Sequence, residues 1–245
     1  LECKLVVGNI VISLDSEFIE NKKMLTEKQK QDCETNAFKR MIKRIKKNYP
    51  KYKFIITGDG LYATSPIIKL CKKYNWYYIF NLKPDRLKEI NETFEDNINY
   101  KNETTLKNYY LSTNIEYKCN ILSVFKFIET KKKNTTFRYI SNLCVKDSNI
   151  KEIVSMGRKR WKIENEGFYN QKHRTFNISH LNSRNDTAMK NHYFFIQFAH
   201  TIRQLLEQGN LLTKSLKLKI KEVSRFLLDT LTSTISDLNN INTNF

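Results

Sequence analysis

The sequence predicts an α/β fold, and three observations carry that prediction. Residues 54–82 read as strand, helix and strand, residues 109–143 as consecutive strands around a turn, and the stretch from Asp147 onward as helices. A βαβ unit implies a parallel pair with a right-handed crossover. The strands that follow then form an antiparallel block inserted into an α/β frame.

Each element has its own signal. "KLVVGNIVISL" (residues 4–14) is β-branched and apolar, breaks at Gly8 and Asn9, and reads as a hairpin. From Gln29 to Asn48, Cys33, Ala37, Met41 and Ile45 recur every four residues with Phe38 and Ile42 beside them, which makes one buried helical stripe. Lys39, Arg40, Lys43, Arg44, Lys46 and Lys47 cover its outer face and carboxyl end, and Pro50 stops it. Phe54–Thr57 is a buried strand. Ser65 is placed to cap the next helix with Pro66 in its first turn, and Tyr77–Leu82 is the second strand. Residues 84–108, polar and Asn-rich, read as a helix and loop. "IEYKCNILSVFKFIET" and "TTFRYISNL" flank a "KKKN" turn. Phe195, Phe198, Ala199, Ile202, Leu205 and Leu206 form a helical apolar stripe ended by Gly209. A last amphipathic helix carries Leu216, Ile220, Val223, Leu227 and Leu231, with lysines on its other face, and the polar tail after Ser236 frays. The organisation expected is a first part of the core over residues 1–83, an inserted β-rich subdomain over 84–146, the remainder of the core over 147–209, and a terminal helix and tail over 210–245.

Composition narrows the function. The chain has 245 residues, 40% of them hydrophobic, enough for a sizeable core. Lys and Arg number 43 against 25 acids, a formal net charge of +18, so the surface attracts polyanions and nucleic acid is the first partner to consider. A coding bias toward Lys, Asn and Ile would also give this charge, so position has to decide. The five cysteines show no CxxC pair and the four histidines no ligand spacing with them, which argues against disulfides and zinc and for reduced thiols in the cytosol. No run approaches the ~18 to 20 apolar residues that span a bilayer, so no membrane is expected. The chain opens at Leu1 inside a strand-like run, without a Met, and a fragment is expected.

Two acids stand out by context. Asp59 lies at the carboxyl end of a buried strand, where functional groups of open α/β sheets collect. Glu164 sits in "GRKRWKIENEGFYNQKHR" (157–174), a basic run carrying Arg158, Lys159, Arg160, Lys162, Lys172 and Arg174 as DNA-backbone ligands. Two-metal phosphodiester cleavage needs about three or four carboxylate oxygens converging on Mg²⁺ from rigid elements, and a strand end and a helix could supply two. The simpler readings stay open. Asp59 could make only a Gly-flanked turn, Glu164 could pair with Arg160 one turn back, Trp161 and Phe168 could be core, and Asp32 and Glu34 could serve the dipole of their helix.

These residues resemble a known family. "GDGLYA" (58–63), "KQDCE" (30–34) and "RWKIENEGF" (160–168) are similar to the DDE transposases of bacterial insertion sequences, in the IS-four-like group with a β insertion between the second and third acids. The resemblance implies a ribonuclease-H-like mixed sheet with an inserted antiparallel β subdomain and carboxyl-terminal helices. It also implies DNA cleavage and strand transfer at element ends with two Mg²⁺ ions, or Mn²⁺ in their place. DNA ends and target are the implied partners, a homodimer in the DNA complex the implied assembly, and the bacterial cytoplasm at the nucleoid the implied location. By motif, Asp59 matches the second acid, with Gly60 and Tyr62 beside it. Glu164 matches the third, within a signature Tyr-x2-Arg-x3-Glu-x6-Lys, with Trp161 and Asn165 as supporting residues.

The chain departs from that signature in three places. Gly157 stands where its Tyr would be. Gln171 stands at its Lys position, with Lys172 one place late; at about 100° per residue Gln171 lies roughly 20° from Glu164 and Lys172 roughly 80°. The family's first Asp would precede Leu1, Asp15 being the only strand-associated acid available, so one catalytic acid is expected to lie upstream. Two rival functions follow: a non-catalytic DNA-binding remnant, and a structure-specific nuclease of the same fold.

Overall fold

The computed structural model describes residues 1–19, 33–131, 134–174, 176–180 and 183–208, with 222, 225 and 228–230 beyond them. Residues 29–32 of the first expected helix, Asp32 among them, part of the "KKKN" turn, Gly209 and the apolar positions expected on the last helix lie outside the described residues. The chain divides into two compact units, Leu1–Cys3 with Leu14–Glu164, and Lys4–Ser13 with Asn165–Phe245.

The first unit is built on one six-stranded sheet. Strand β1 (Glu2–Val7) and strand β2 (Ile10–Ser16) make a separate two-stranded sheet around Gly8, whose φ of +57° suits the turn that the sequence marks there. Helix α1 (Glu34–Asn48) follows, then strand β3 (Ile55–Gly58), helix α2 (Ser65–Lys73) and strand β4 (Tyr77–Asn81). β3 and β4 pair in parallel from Ile55 opposite Tyr77 to Gly58 opposite Phe80, the expected βαβ unit. Helix α2 starts one residue earlier than the sequence suggests. Thr64 is its N-cap, without a side-chain cap bond, and Ser65 is already helical.

Helix α3 (Lys88–Asp96) and strand β5 (Tyr100–Glu103) occupy the Asn-rich stretch, so it holds a strand as well as the expected helix. Strands β6 (Lys107–Tyr117), β7 (Asn120–Thr130) and β8 (Asn134–Ser141) complete the sheet in the order β3-β4-β8-β7-β6-β5. β8 pairs antiparallel with β4, Ile79 opposite Ser141 and Asn81 opposite Tyr139, so the antiparallel block extends the parallel pair edge to edge. The result is a mixed α/β sheet of the ribonuclease-H-like kind.

Both faces of the sheet are covered. Tyr78, Phe80, Leu122, Val124 and Ile140 point to one side, where α1 contributes Phe38, Met41, Ile42 and Ile45, α2 contributes Ile67, Ile68 and Cys71, and α3 contributes Ile90 and Phe94. Ile79, Phe125, Phe127 and Tyr139 point to the other, against Ile150, Ile153 and Val154 of helix α4 (Ile150–Arg158). Each such fully buried side chain contributes about 1.5–3 kcal/mol. The basic outer face of α1 is partly committed to the fold. Arg44 holds Asp15 through Nε and Nη2 at 3.1 and 3.2 Å and also binds Glu17, which Arg40 holds too. Burial would raise the Glu17 carboxyl, but the hydrogen bonds from Arg40 and Arg44 hold it below its ordinary range. Asp15 is thus occupied as a structural ion-pair partner.

The second unit inverts an expectation. Its long helix, α6 (Asp186–Gln208), follows helix α5 (Tyr169–His173) and buries Ile196, Gln197, His200 and Gln204, while the apolar stripe of Phe195, Phe198, Ile202 and Leu205 faces out. The buried polar groups satisfy one another, which is what makes this orientation affordable. Gln204 accepts from Val11 N–H at 2.7 Å and donates to Val11 C=O at 2.8 Å. Gln197 Oε1 accepts from Lys4 Nζ at 2.7 Å and from Gln171 Nε2 at 2.8 Å, and Gln171 Nε2 also donates to His200 Nδ1 at 3.0 Å.

His200 is therefore held neutral. Burial first, then the charges of Lys4 and Arg203, lower its pKa from 6.5 to about 4. The folded chain binds fewer protons at His200 than the unfolded chain between those values. The stability this contributes is complete above pH 6.5 and is lost as the pH falls toward 4. Thermal unfolding measured from pH 7 to 4 is expected to fall more steeply for the unsubstituted chain than for His200→Gln; parallel slopes would show that His200 titrates normally.

Candidate functional site

Asp59 leaves the carboxyl end of β3 in a turn. Its Oδ1 accepts from Leu61 N–H at 2.9 Å and its carbonyl from Tyr62 N–H at 3.2 Å, and among the described residues it bonds to nothing beyond this turn. The second carboxylate oxygen is left for another partner. The glycines around it are there for space: a Cβ on Gly58 would stand 2.9 Å from the Tyr62 ring, and one on Gly60 3.0 Å from Lys83 Cγ. Tyr62 closes over Gly58 and packs against Phe38 with the rings tilted by 45° and 5.0 Å between their centres. Burial, then the charges of Glu34 and Asp59, push its phenol upward, so it stays protonated. The reading of Asp59 as a turn residue is therefore correct as far as it goes, and it leaves one oxygen available.

Glu164 arrives on a broken helix. α4 ends at Arg158, a turn covers Lys159 and Arg160, Ile163–Phe168 is a π-helical turn, and α5 begins at Tyr169. π turns are rare and frequent at functional positions. One turn of this kind takes up an extra residue, so the count of about 100° per residue does not hold through it. Lys172 thereby takes the phase that an unbroken α-helix gives to position 171. Their surroundings agree, since Gln171 is fully buried among amides and Lys172 is exposed.

Arg160 Nη1 donates to Glu164 Oε1 at 2.6 Å, with the Arg160 side chain 19% exposed and that of Glu164 45%. The guanidinium also lies 5.2 Å over the ring of Trp161, which is itself 47% exposed and so not core. Other members of the basic run are differently employed. Arg158 contacts Glu129 at 3.3 Å and lies over the rings of Phe127 and Phe137 at 5.5 and 5.1 Å, which ties α4 to the sheet. Lys159 is exposed, Lys162 half-buried, Asn165 exposed, and Arg174 exposed over Tyr169 at 5.8 Å. The structure thus brings Arg160, Trp161 and Glu164 together, while Asp59 bonds to none of them. Among the described residues no group of three or more His, Cys, Asp or Glu could hold a metal ion, so these two acids do not by themselves complete a metal site.

One neighbour of this helix escapes sequence reading. A Cβ on Gly157 would lie 3.0 Å from both Ile79 Cγ2 and Tyr139 Cε1. α4 rests directly on β4 and β8, and Tyr139 fills the volume beside it, its phenol pushed up to about 12 by burial against the pull of Arg158 and Arg160. Only a glycine among apolar helix positions could have signalled this close approach.

The family described as "Transposase DDE domain" matches residues 7–202. The chain belongs to this transposase family. No curated protein matches it. The DDE match spans both Asp59 and Glu164, and DNA is the substrate of such transposases. Among the described residues, no helix is long and apolar enough to cross a membrane.

The packing at Gly157 makes a prediction about this DDE domain. Restoring the signature tyrosine, Gly157→Tyr, is expected to lower stability by about 1–3 kcal/mol or more through overpacking, and Gly157→Ala by less, because helix propensity returns up to ~1 kcal/mol. Urea unfolding would read this as a lower midpoint at unchanged slope. An unchanged midpoint for Gly157→Tyr would mean that α4 lifts freely from β4 and β8.

Proposed function

We propose that this domain performs metal-dependent DNA strand cleavage and transfer at the ends of a bacterial insertion sequence, working at the nucleoid as a pair of copies on paired ends. Asp59 and Glu164 are two of its metal-binding carboxylates, and a further acid comes from outside the described residues. The observation that carries this reading is the Arg160–Glu164 pair at 2.6 Å on a π turn, with Arg160 largely buried. An ordinary surface pair on an α-helix would give about 0.3–0.5 kcal/mol and needs neither the π turn nor the buried arginine. Hard carboxylate oxygens suit Mg²⁺ or Mn²⁺, and such an ion would supply charge stabilisation at the scissile phosphate.

In this reading Asp59 presents its unengaged oxygen from a fixed turn, so little reorganisation is needed when it takes a ligand. Arg160 fixes the Glu164 carboxylate. Lys159, Lys172 and Arg174 bind backbone phosphates, with Lys162 at their edge, while Gly60, Tyr62, Trp161 and Asn165 support the two acids. Among the described residues no group of three or more acids could hold a metal ion, which favours a second reading of residues 1–245 as given, a DNA-binding remnant without cleavage.

Both readings are tested in the reading frame that includes any upstream strand. Asp59→Asn and Glu164→Gln are expected to abolish Mg²⁺-dependent cleavage with DNA affinity retained. Arg160→Ala is expected to lower cleavage ~10²-fold or more, the scale of losing one donor at a developing charge, while weakening DNA binding no more than Lys159→Ala does. Arg160→Lys fails similarly, since an ammonium cannot reproduce the fork. Equal losses of binding and cleavage for Arg160→Ala and Lys159→Ala would reduce the run to a phosphate-binding surface. Cleavage absent from every form, with steeply salt-dependent binding kept, would establish the remnant.

A further inference from the structure

Between Glu34 and Asp85 the only acid is Asp59, and many cations of that stretch gather at the end of the sheet away from it. β3 runs from Ile55 toward Asp59, and β4 starts level with it, Ile55 opposite Tyr77. Helices α1 and α2 both end at this amino edge of the strands. Trp76, 1% exposed, ties their ends together. Its Nε1 donates to Tyr52 C=O at 3.1 Å, its ring meets those of Tyr74 and Phe54 at 5.6 and 5.1 Å between centres, and Lys46 Nζ lies 6.0 Å over it while donating to Pro50 C=O at 2.8 Å. The segment over 49–54 is thereby fixed. It holds out Lys51, Tyr52 and Lys53 beside Lys47 from the last turn of α1 and Lys72 and Lys73 from that of α2. These five lysines are exposed, and none bonds to a carboxylate among the described residues.

We propose that this edge is a second DNA-binding surface, which grips the backbone of a duplex roughly 20 Å from Asp59, the reach of the chain from Lys53 to Asp59 at about 3.3 Å per residue. Lysine ammonium groups act on phosphates as point charges and read no bases. A duplex offers them one negative charge about every 1.7 Å. Because the segment over 49–54 is already held by Trp76, little ordering is needed when it binds. A lipid surface fits less well, since membrane-bound helices and turns set large apolar side chains among their cations. Here Tyr52 is the one large side chain held out, 65% exposed, and its ring is stacked on Phe54 at 6.2 Å between centres. Lysines in the last turn of a helix also suit its dipole. That accounts for Lys47, Lys72 and Lys73 but not for Lys51 and Lys53, which lie outside any helix, and a composition rich in lysine would not at the same time exclude acids. The inference rests on DNA being the substrate of the family and not on the chemistry proposed for Asp59 and Glu164.

Binding of the full chain to a labelled duplex of arbitrary sequence, measured against salt, tests it. Each phosphate contact contributes about 0.9 to the slope of log K against log salt, so Lys51→Gln, Lys53→Gln, Lys72→Gln and Lys73→Gln together are expected to lower the slope by about 3 to 4. Lys101→Gln, Lys107→Gln, Lys118→Gln and Lys146→Gln, at exposed positions elsewhere on the first unit, remove the same charge and are expected to lower it by less than about 1. Equal losses in the two sets would reduce the edge to part of the general charge and overturn the proposal. So would an unchanged slope with a lower urea midpoint, which would leave these lysines as partners of the helix ends. The unsubstituted chain gives a reading that misfolded variants cannot disturb: under saturating duplex, acetylation of Lys51 and Lys53 is expected to slow at least about fivefold while that of Lys101 and Lys107 does not change. Equal acetylation of Lys51 and Lys53 with and without duplex would overturn the proposal. A chain that binds no duplex would remove the DNA reading altogether, whereas binding kept with its slope untouched by the four edge substitutions would remove this surface alone.

Discussion

Strand β4 must be buried on both faces, and the first unit is arranged around that constraint. Side chains alternate along a strand, so Tyr78 and Phe80 enter one core and Ile79 the other. A slip of one residue would exchange the two sets, and with both cores apolar only the neighbouring ladders could forbid it. They do so from both edges, β3 in parallel and β8 antiparallel. Where the ladder ends, side chains finish it. Asn142 Oδ1 accepts from Tyr78 N–H at 3.0 Å, Asn142 Nδ2 donates to Trp76 C=O at 3.1 Å, and Ser141 Oγ donates to Tyr78 C=O at 2.6 Å. The turn that carries Asp59 is indexed to β4 through β3, and α4 is indexed to it through Ile79 and Gly157. The Asp59 turn and helix α4 thus both take their positions from one strand.

This explains which parts were legible in the sequence. The βαβ unit, the hairpin at Gly8 and Asn9, and the antiparallel block each announce themselves through residues that act locally, by β-branching, turn chemistry or period. Asp59 stands out as a candidate because its strand and its glycines are adjacent in sequence. Glu164 stands out as a candidate because its neighbours resemble a motif. What stayed hidden depends on partners far along the chain. The buried side of α6 is polar, and no amphipathic rule finds it, because Gln197 and His200 are satisfied by Gln171 from another element and Gln204 by the backbone of Val11. The π turn leaves no mark on a period-based reading and misdirects it by one residue. Gly157 looks like a departure from a signature until Tyr139 is seen filling the space.

The charge of the chain reads differently once its arginines are traced. Arg40, Arg44, Arg138, Arg158, Arg160 and Arg203 all hold carboxylates, and Arg138, Arg158, Arg160 and Arg203 also lie over aromatic rings. A planar fork suits fixed, partly buried pairing better than an ammonium does, whereas the strongly hydrated lysine head remains in water. The basic run 157–174 therefore contains two kinds of cation. Arg158 and Arg160 shape the helix and its acid, whereas Lys159 and Lys172 stand exposed. Counting charges along the run assigns all of them the same role. Tracing their partners separates them, and it leaves Arg160 as the cation whose position is explained by the acid beside it rather than by a phosphate.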